Sequence, residues 1–423
     1  MSIFTAKLKT IFSDRNLRNR ILITVGLLGI FRVLAAIPVP GVNQAALNQF
    51  FSNNQFFGLL NVFSGGGLSH FSIVMLGVGP YITAVIIMQL LTMISPRLKS
   101  LYQEEGEAGR MKFTQYSRML TVPLAMVQSF GFITLLSQQN IVAHLTPFAM
   151  AVNVAIVTGG SMLLVWIGER ISEFGAGNGT SLIIFAGIVA ALPQAISQSV
   201  LSFSTAQIPT YALILVGSVF VVYAVVFITE AERPIPVTYA KRIRGNKVYG
   251  GISTYIPLRL NQAGVIPIIF ALSVLLFPQV VFKYLATIHY ALVANVSNWI
   301  ENALQNQWVY DIFYFLLVFA FTYFYTAVTF DPHQLSENLQ KNGAFIPGVR
   351  PGQSTAVYIS KILTRLTTFG AVFLGVIAVL PLIIRSFTNQ TSLAIGGTAL
   401  LIVVSVVIDT IKRIEAQVTM KEY

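Results

Sequence analysis

Cysteine is absent from the 423 residues. That single absence excludes disulfide frameworks, thiolate metal sites, cysteine nucleophiles, prenylation and palmitoylation together. Charge is also scarce: Asp, Glu, Lys and Arg make up 10% of the chain against 55% apolar residues, far from the roughly 25% charge of soluble domains. The four histidines, His70, His144, His289 and His333, are scattered, and no zincin, hydrolase-elbow or P-loop pattern occurs. No catalytic residue, metal set or cofactor site is visible, and the chain is not expected to be an enzyme. The apolar stretches also lack the central acids, bases or histidines that proton relays use. Glu169, Arg170, Glu173 and Asp409 fall at the ends of such stretches, where a solvated structural role is expected.

What is present is a series of apolar windows, which makes the chain an all-α polytopic membrane protein. Ten windows each supply about the ~20 residues that a crossing needs: Arg20–Ile37, Phe71–Met93, Tyr116–Leu136, Pro147–Ile167, Ser181–Val200, Pro209–Ile228, Gln262–Phe282, Val309–Val328, Leu366–Ile384 and Ala394–Ile411. The first follows a basic N-terminal stretch and ends in Ile37-Pro38-Val39-Pro40-Gly41 without a small-residue cleavage pattern, so it reads as a retained span rather than a signal peptide. Residues 2–18 place apolar and basic side chains on different helical faces, as an interfacial amphipathic helix does. Arg32 lies inside the first window, close enough to its polar end to snorkel or pair with a neighbour.

Charge position sets the orientation. Of 27 Lys and Arg, Arg32 is within a span and Lys283 and Arg385 fall after spans seven and nine. All the others gather on or at the boundary of the opposite side. By the positive-inside rule that side is cytoplasmic, and ten spans place both termini there.

Gly58 to Met93 is the one irregular stretch. Leu59 to Leu68, LLNVFSGGGL, covers only about half of a ~30 Å hydrocarbon core as a helix. The window after it carries Gly77, Gly79 and Pro80, and irregular backbone at membrane depth survives only against protein or water. A cavity is therefore expected here.

Two basic-side loops are too long and too punctuated for plain connectors. Thr229–Arg259 reads as a hairpin turning at Gly245-Asn246, with a basic tip of Lys241, Arg242, Arg244 and Lys247. Asp331–Thr364 opens with Asp331 as a helix cap before Pro332, stops at Gly343, and turns through Phe345-Ile346-Pro347-Gly348-Val349-Arg350-Pro351-Gly352 before another helix near Ser354. A third loop, Pro96–Arg118, mixes acids and bases. Anionic lipid would attract such loops at ~1 kcal/mol per charge, but it would not require a prolyl-glycyl turn held between two helices. Partner docking is the expectation.

Within the spans, Ile82 and Ile86 share one helical face and Ile184 and Ile188 another. Taken alone, such pairs are ordinary packing.

The motifs taken together resemble the SecY family, the channel subunits of bacterial protein translocase. They are VFSGGGLSHFSIVMLGVGPYI, QEEGEAGRMKFTQYSR, GERISEFGAGNGTSLIIFAGIVAALP, ERPIPVTYAKRIRGNKVYGG, STYIPLRLNQAGVIP, TFDPHQLSENLQKNGAFIPGVRPG and GGTALLIVVSVVIDTIKRIEAQ, in that order. The resemblance implies two pseudo-symmetric halves, 1–200 and 201–423, around a central pore in the plasma membrane. It implies a re-entrant plug at Leu59, Leu60, Asn61, Val62, Phe63, Ser64, Gly65, Gly66, Gly67 and Leu68. Ile82, Ile86, Ile184, Ile188, Ile269 and Ile402 would form the pore ring, and the helices carrying Gln89 and Asn261 the lateral gate. Lys241, Arg242, Arg244 and Arg350 would dock the motor ATPase SecA or the ribosome. SecE and SecG are implied as membrane subunits, and signal peptides and secretory polypeptides as cargo. His70 departs from the expected pattern and is assigned no role. The rival reading is a secondary transporter of a small solute, which should gather polar groups at the midplane where this chain gathers isoleucine.

Overall fold

The computed structural model describes residues 14–39, 42, 46–47, 61, 64–139, 141–142, 146–201, 208–239, 242–244, 247–249, 253–285, 306–388 and 391–422. The expected amphipathic start therefore lies largely outside the described residues. Asp14 accepts the Asn16 backbone N–H at 3.0 Å and so starts α1, Arg15–Ala35. After a run of turns come α2, Gly79–Ile94, and α3, Pro96–Gln103. Pro80 sits in the first turn of α2 rather than breaking a longer helix, because there its missing N–H deprives no carbonyl of a partner. The sequence expectation of a helix interrupted in mid-span is corrected accordingly. Ser95 is extended before Pro96, as pre-proline residues prefer, and α2 and α3 meet at 114°.

Next follow α4, Gly106–Gln138, α5, Pro147–Phe174, and α6, Gly179–Leu201. The rest of the chain supplies α7, Ile208–Glu230, α8, Ile266–Leu285, α9, Gln307–Thr329, α10, Pro332–Lys341, α11, Gln353–Thr388, and α12, Thr391–Glu422. Each of the ten apolar windows overlaps a helix of its own. Among the described residues, Gly106–Gln138, Pro147–Phe174, Gln307–Lys341 and Gln353–Leu380 are long and apolar enough to cross a membrane unaided, and the bent pair α2 and α3 would make a fifth. Lys283 and Arg385, expected in loops, instead continue α8 and α11. Hydroxyls within the spans return to their own helix: Thr121 donates to Ser117 O at 2.8 Å and Thr326 to Thr322 O at 2.8 Å. That is how a polar side chain is kept in an apolar setting without an orphan group.

The two basic loops form one platform. The first contributes β1, Glu232–Tyr239, β2, Arg242–Arg244, β3, Lys247–Tyr249, and β4, Ser253–Arg259, and the second contributes β5, Ala344–Phe345. The expected hairpin is present, with Arg244 opposite Lys247. The sheet order β4-β1-β5 joins the loops, Thr238 lying opposite Phe345 and Tyr239 opposite Ala344. Beneath it Ile235, Val237, Leu258, Ala344, Ile346, Ile359 and Ile362 close a small core.

Asp331 accepts the N–H groups of His333 and Gln334 at 2.8 and 3.3 Å, capping α10 as its sequence position requires. Asp331→Ala is expected to cost about 1 kcal/mol and to loosen this platform first, seen as faster amide exchange across α10 with the membrane helices unaffected.

Candidate pore constriction and plug

Among the described residues one large buried apolar cluster, to which α1, α2, α5, α6, α7, α8, α9, α11 and α12 all contribute, contains all six of the expected isoleucines. α2 contributes Ile82 and Ile86, α6 contributes Ile184 and Ile188, α8 contributes Ile269 and α12 contributes Ile402. Ile402 is fully shielded, and Ile82, the most exposed of the six, is 9% exposed. The helices meet because α2 packs on α8 and α6 on α12, so residues separated by more than three hundred positions share a contact zone. Four-residue spacing puts each isoleucine pair on one face, and only the tertiary arrangement brings those faces into one core.

Of the expected plug, Leu59, Leu60, Val62 and Phe63 lie outside the described residues. Asn61 is helical, and Ser64, Gly65, Gly66, Gly67 and Leu68 form consecutive turns. A helix cannot run through them because Gly65 and Gly66 hold φ of 71° and 80°, the left-handed region where glycine meets no steric cost. The turn closes on itself. Gly66 N donates to Asn61 O at 2.8 Å, Ser69 N to Asn61 Oδ1 at 2.8 Å, and Leu68 N to Ser64 Oγ at 3.1 Å.

This turn fits between α1 and α6. A Cβ at Gly65 would lie 2.5 Å from Phe31 Cζ and 3.1 Å from Gly187 Cα. Gly187 sits between Ile184 and Ile188 on α6, so the turn expected to belong to the plug lies against the helix that carries two of the isoleucines expected in the ring. Residues beyond the turn pair with the end of span one, Val39 N donating to Phe71 O at 2.8 Å and Ile73 N to Ile37 O at 3.0 Å.

Gln89 on α2 and Asn261 just before α8 are both buried, each 7% exposed. Asn261 Nδ2 donates to Gly264 O at 3.0 Å, while Gln89 Oε1 and Asn261 Oδ1 have no hydrogen-bond partner among the described residues. A buried amide oxygen without a donor costs about 1–3 kcal/mol. On the basic side, Gln103 Nε2 donates to Val328 O at 3.2 Å, tying α3 to the end of α9; nothing in the local sequence pattern pointed to it.

Arg350 is exposed on its prolyl-glycyl turn. The turn is held at both sides: Thr355 Oγ1 donates to Arg350 O at 2.9 Å, and Ser336 Oγ donates to Gly352 O at 2.6 Å. Arg242 and Arg244 lie on β2, and Lys241 lies outside the described residues. His70 is exposed. Arg118 and Glu169 form an ion pair between α4 and α5, and Arg413 bonds Asp409 at 3.0 Å within α12, in keeping with structural roles for those acids.

The family model described as SecY matches residues 72–411. The chain is 40% identical over 446 residues to the protein translocase subunit SecY of Mycobacterium tuberculosis, covering 100% of this chain and 99% of that protein. It is 40% identical over 433 residues to the subunit of the same name from Streptomyces coelicolor, covering 97% of each. Among solved structures, one described as "The structure of a protein conducting channel" superposes with a TM-score of 0.65 at 18% identity, over 95% of this chain and 93% of that one. Another, of a yeast Ssh1 complex bound to the yeast 80S ribosome, superposes with a TM-score of 0.60 at 14% identity, over 93% and 89%. With a family match over most of its length and near-complete relatives at 40% identity, this multi-pass membrane chain belongs to the SecY family.

Proposed function

We propose that the protein is the protein-conducting channel of a Sec translocase, passing unfolded secretory polypeptides across the bacterial plasma membrane and releasing transmembrane segments sideways into lipid. One observation carries this reading: six isoleucines from four helices, drawn from both halves of the chain, share one buried cluster, and a turn-rich segment lies against Gly187 between two of them. Branched aliphatic side chains offer ions and water no hydrogen bonds, so their ring seals by dewetting. The same ring yields to a passing chain because no strong bond must break. Residues 1–200 and 201–423 act as two halves that part between α2 and α8, at the poorly satisfied Gln89 and Asn261. An apolar segment then enters lipid at a gain of a few tenths of a kcal/mol per central residue, and a charged one is refused at ~2.5–3.5 kcal/mol each.

The channel supplies a path and no catalysis, so the work comes from partners. SecE and SecG complete it in the membrane, signal peptides open it, and SecA or the ribosome docks on the platform of Lys241, Arg242, Arg244 and Arg350. Both termini lie in the cytoplasm with that platform, and anionic lipid surrounds its basic rim.

The test is reconstitution of the chain with its membrane subunits in vesicles, with the motor ATPase, ATP and an unfolded precursor. Protease-protected precursor is expected only when the chain is present. Uptake of a small solute with no protected polypeptide would overturn the reading in favour of a transporter. In the same vesicles Arg350→Glu is expected to weaken motor stimulation about tenfold, equivalent to ~1.4 kcal/mol of docking energy; undiminished stimulation would remove Arg350 from the docking surface.

A further inference from the structure

Arg32 stands three residues from the end of α1 in an otherwise apolar turn. Its neighbours one helical turn away are Leu28, Gly29, Ala35 and Ala36, so its own helix offers no acid. An arginine inside a spanning segment is costly unless it reaches water or a polar partner. Here it finds the partner: its Nη1 donates to the Gly65 carbonyl at 2.5 Å, thirty-three residues along the chain.

That acceptor is unusual in being available at all. The left-handed φ of Gly65 turns its peptide out of any helical ladder. The preceding residue, Phe31, is buried and presses its ring on the same glycine from the other side. Phe31 and Arg32 thus hold one residue, by shape and by charge-assisted hydrogen bond respectively. The turn they hold is closed by its own bonds, with Asn61 and Ser64 accepting from Gly66, Leu68 and Ser69, and its Leu68 belongs to a second buried cluster with Phe132 and Val157.

We propose that Arg32 is a positioning residue, the latch that keeps the plug segment seated against the constriction through the Gly65 carbonyl. This rests on the channel reading above and adds the element that sets the balance between plugged and unplugged states. The latch is reversible because it consists of one hydrogen bond to a backbone carbonyl rather than an ion pair. A segment entering the pore therefore needs to displace one charged hydrogen bond, a ring contact and the buried Leu68, not a buried ion pair.

The test uses the full chain assembled with its membrane subunits in planar bilayers. Arg32→Met keeps the length and apolar stem and removes every donor; it is expected to raise the resting ion conductance about tenfold, a population change equivalent to ~1.4 kcal/mol. Arg32→Lys, which keeps charge and a donor, is expected to restore most of the seal. Because the chain has no cysteine, Ser64→Cys provides a background-free probe. Its labelling by a membrane-impermeant maleimide is expected to accelerate about tenfold with Arg32→Met and to stay near the parent rate with Arg32→Lys. Should the methionine variant fail to accumulate, Arg32→Leu, which also has no donor, carries the same expectation. Deletion of residues 61–69 separates the two levels of the proposal. A deletion that leaks while the Arg32 variants stay sealed and slow to label overturns the latch alone, and a deletion that stays sealed overturns the plugged channel itself.

Discussion

Replacing Ile86 and Ile188 together with serine is expected to make the resting channel leak ions. Ile86 is 1% and Ile188 3% exposed, on α2 and α6 respectively, so the pair opens the constriction from two sides. Each substitution gives up about 1.5–3 kcal/mol of apolar burial. It also places a hydroxyl where water previously found no partner. A gate that works by dewetting fails at that point, because the ring's barrier is the absence of hydrogen-bonding groups. Single-channel recording in planar bilayers should show resting conductance at least tenfold above the parent, a change of ~1.4 kcal/mol or more in the closed state. The double valine variant, one methylene smaller on each side but still apolar, should remain tight. A serine variant as tight as the parent would assign these residues to packing alone.

Gly160→Val is expected to be more damaging still, by loss of the fold rather than of the seal. On α5, a Cβ at Gly160 would collide with the backbone carbonyl of Ile73 and crowd Val74 Cα. Neither is a flexible side-chain tip that could step aside. Overpacking against side chains costs about 1–3 kcal/mol, and here the displaced element is the backbone leading from the plug turn into α2. A penalty of ~3 kcal/mol or more is expected, with a several-fold fall in accumulated protein and a lower midpoint in thermal unfolding of the detergent-purified chain. The adjacent Gly159 is the control: nothing lies within 4 Å of its added Cβ. Gly159→Ala should leave accumulation unchanged or raise stability by about 0.4–1 kcal/mol. Equal damage at both positions would show that the close approach of α5 to Ile73 is not what glycine serves.

These two glycines show where local reading ends. Gly159 and Gly160 are neighbours of one type in one apolar helix, and no pattern in the surrounding residues distinguishes them; their difference is made by a segment eighty-odd positions away. The same limit applies to the two basic loops, whose punctuation predicts the hairpin around Gly245-Asn246 and the cap at Asp331 but not the pairing of Thr238 with Phe345 that joins them. It applies to Arg32, for which the chain offers a snorkelling or pairing role without naming Gly65. Pro80 is a different kind of miss. Its lack of an N–H is a local fact, but whether it breaks a helix or begins one depends on where the preceding turns settle.

The amino-acid sequence by itself determined the membrane class, the ten apolar windows, the side on which the positive charge lies, the helix caps and the isoleucine pairs. Each of these follows from hydropathy, periodicity or backbone stereochemistry within a few residues, and so is written locally. The tertiary structure alone decided that isoleucines from α2, α6, α8 and α12 share one buried cluster, that Gly65 is held between Phe31, Arg32 and Gly187, and that two loops make one platform. Those outcomes depend on which faces of distant helices meet, and apolar periodicity marks a face without saying what lies against it.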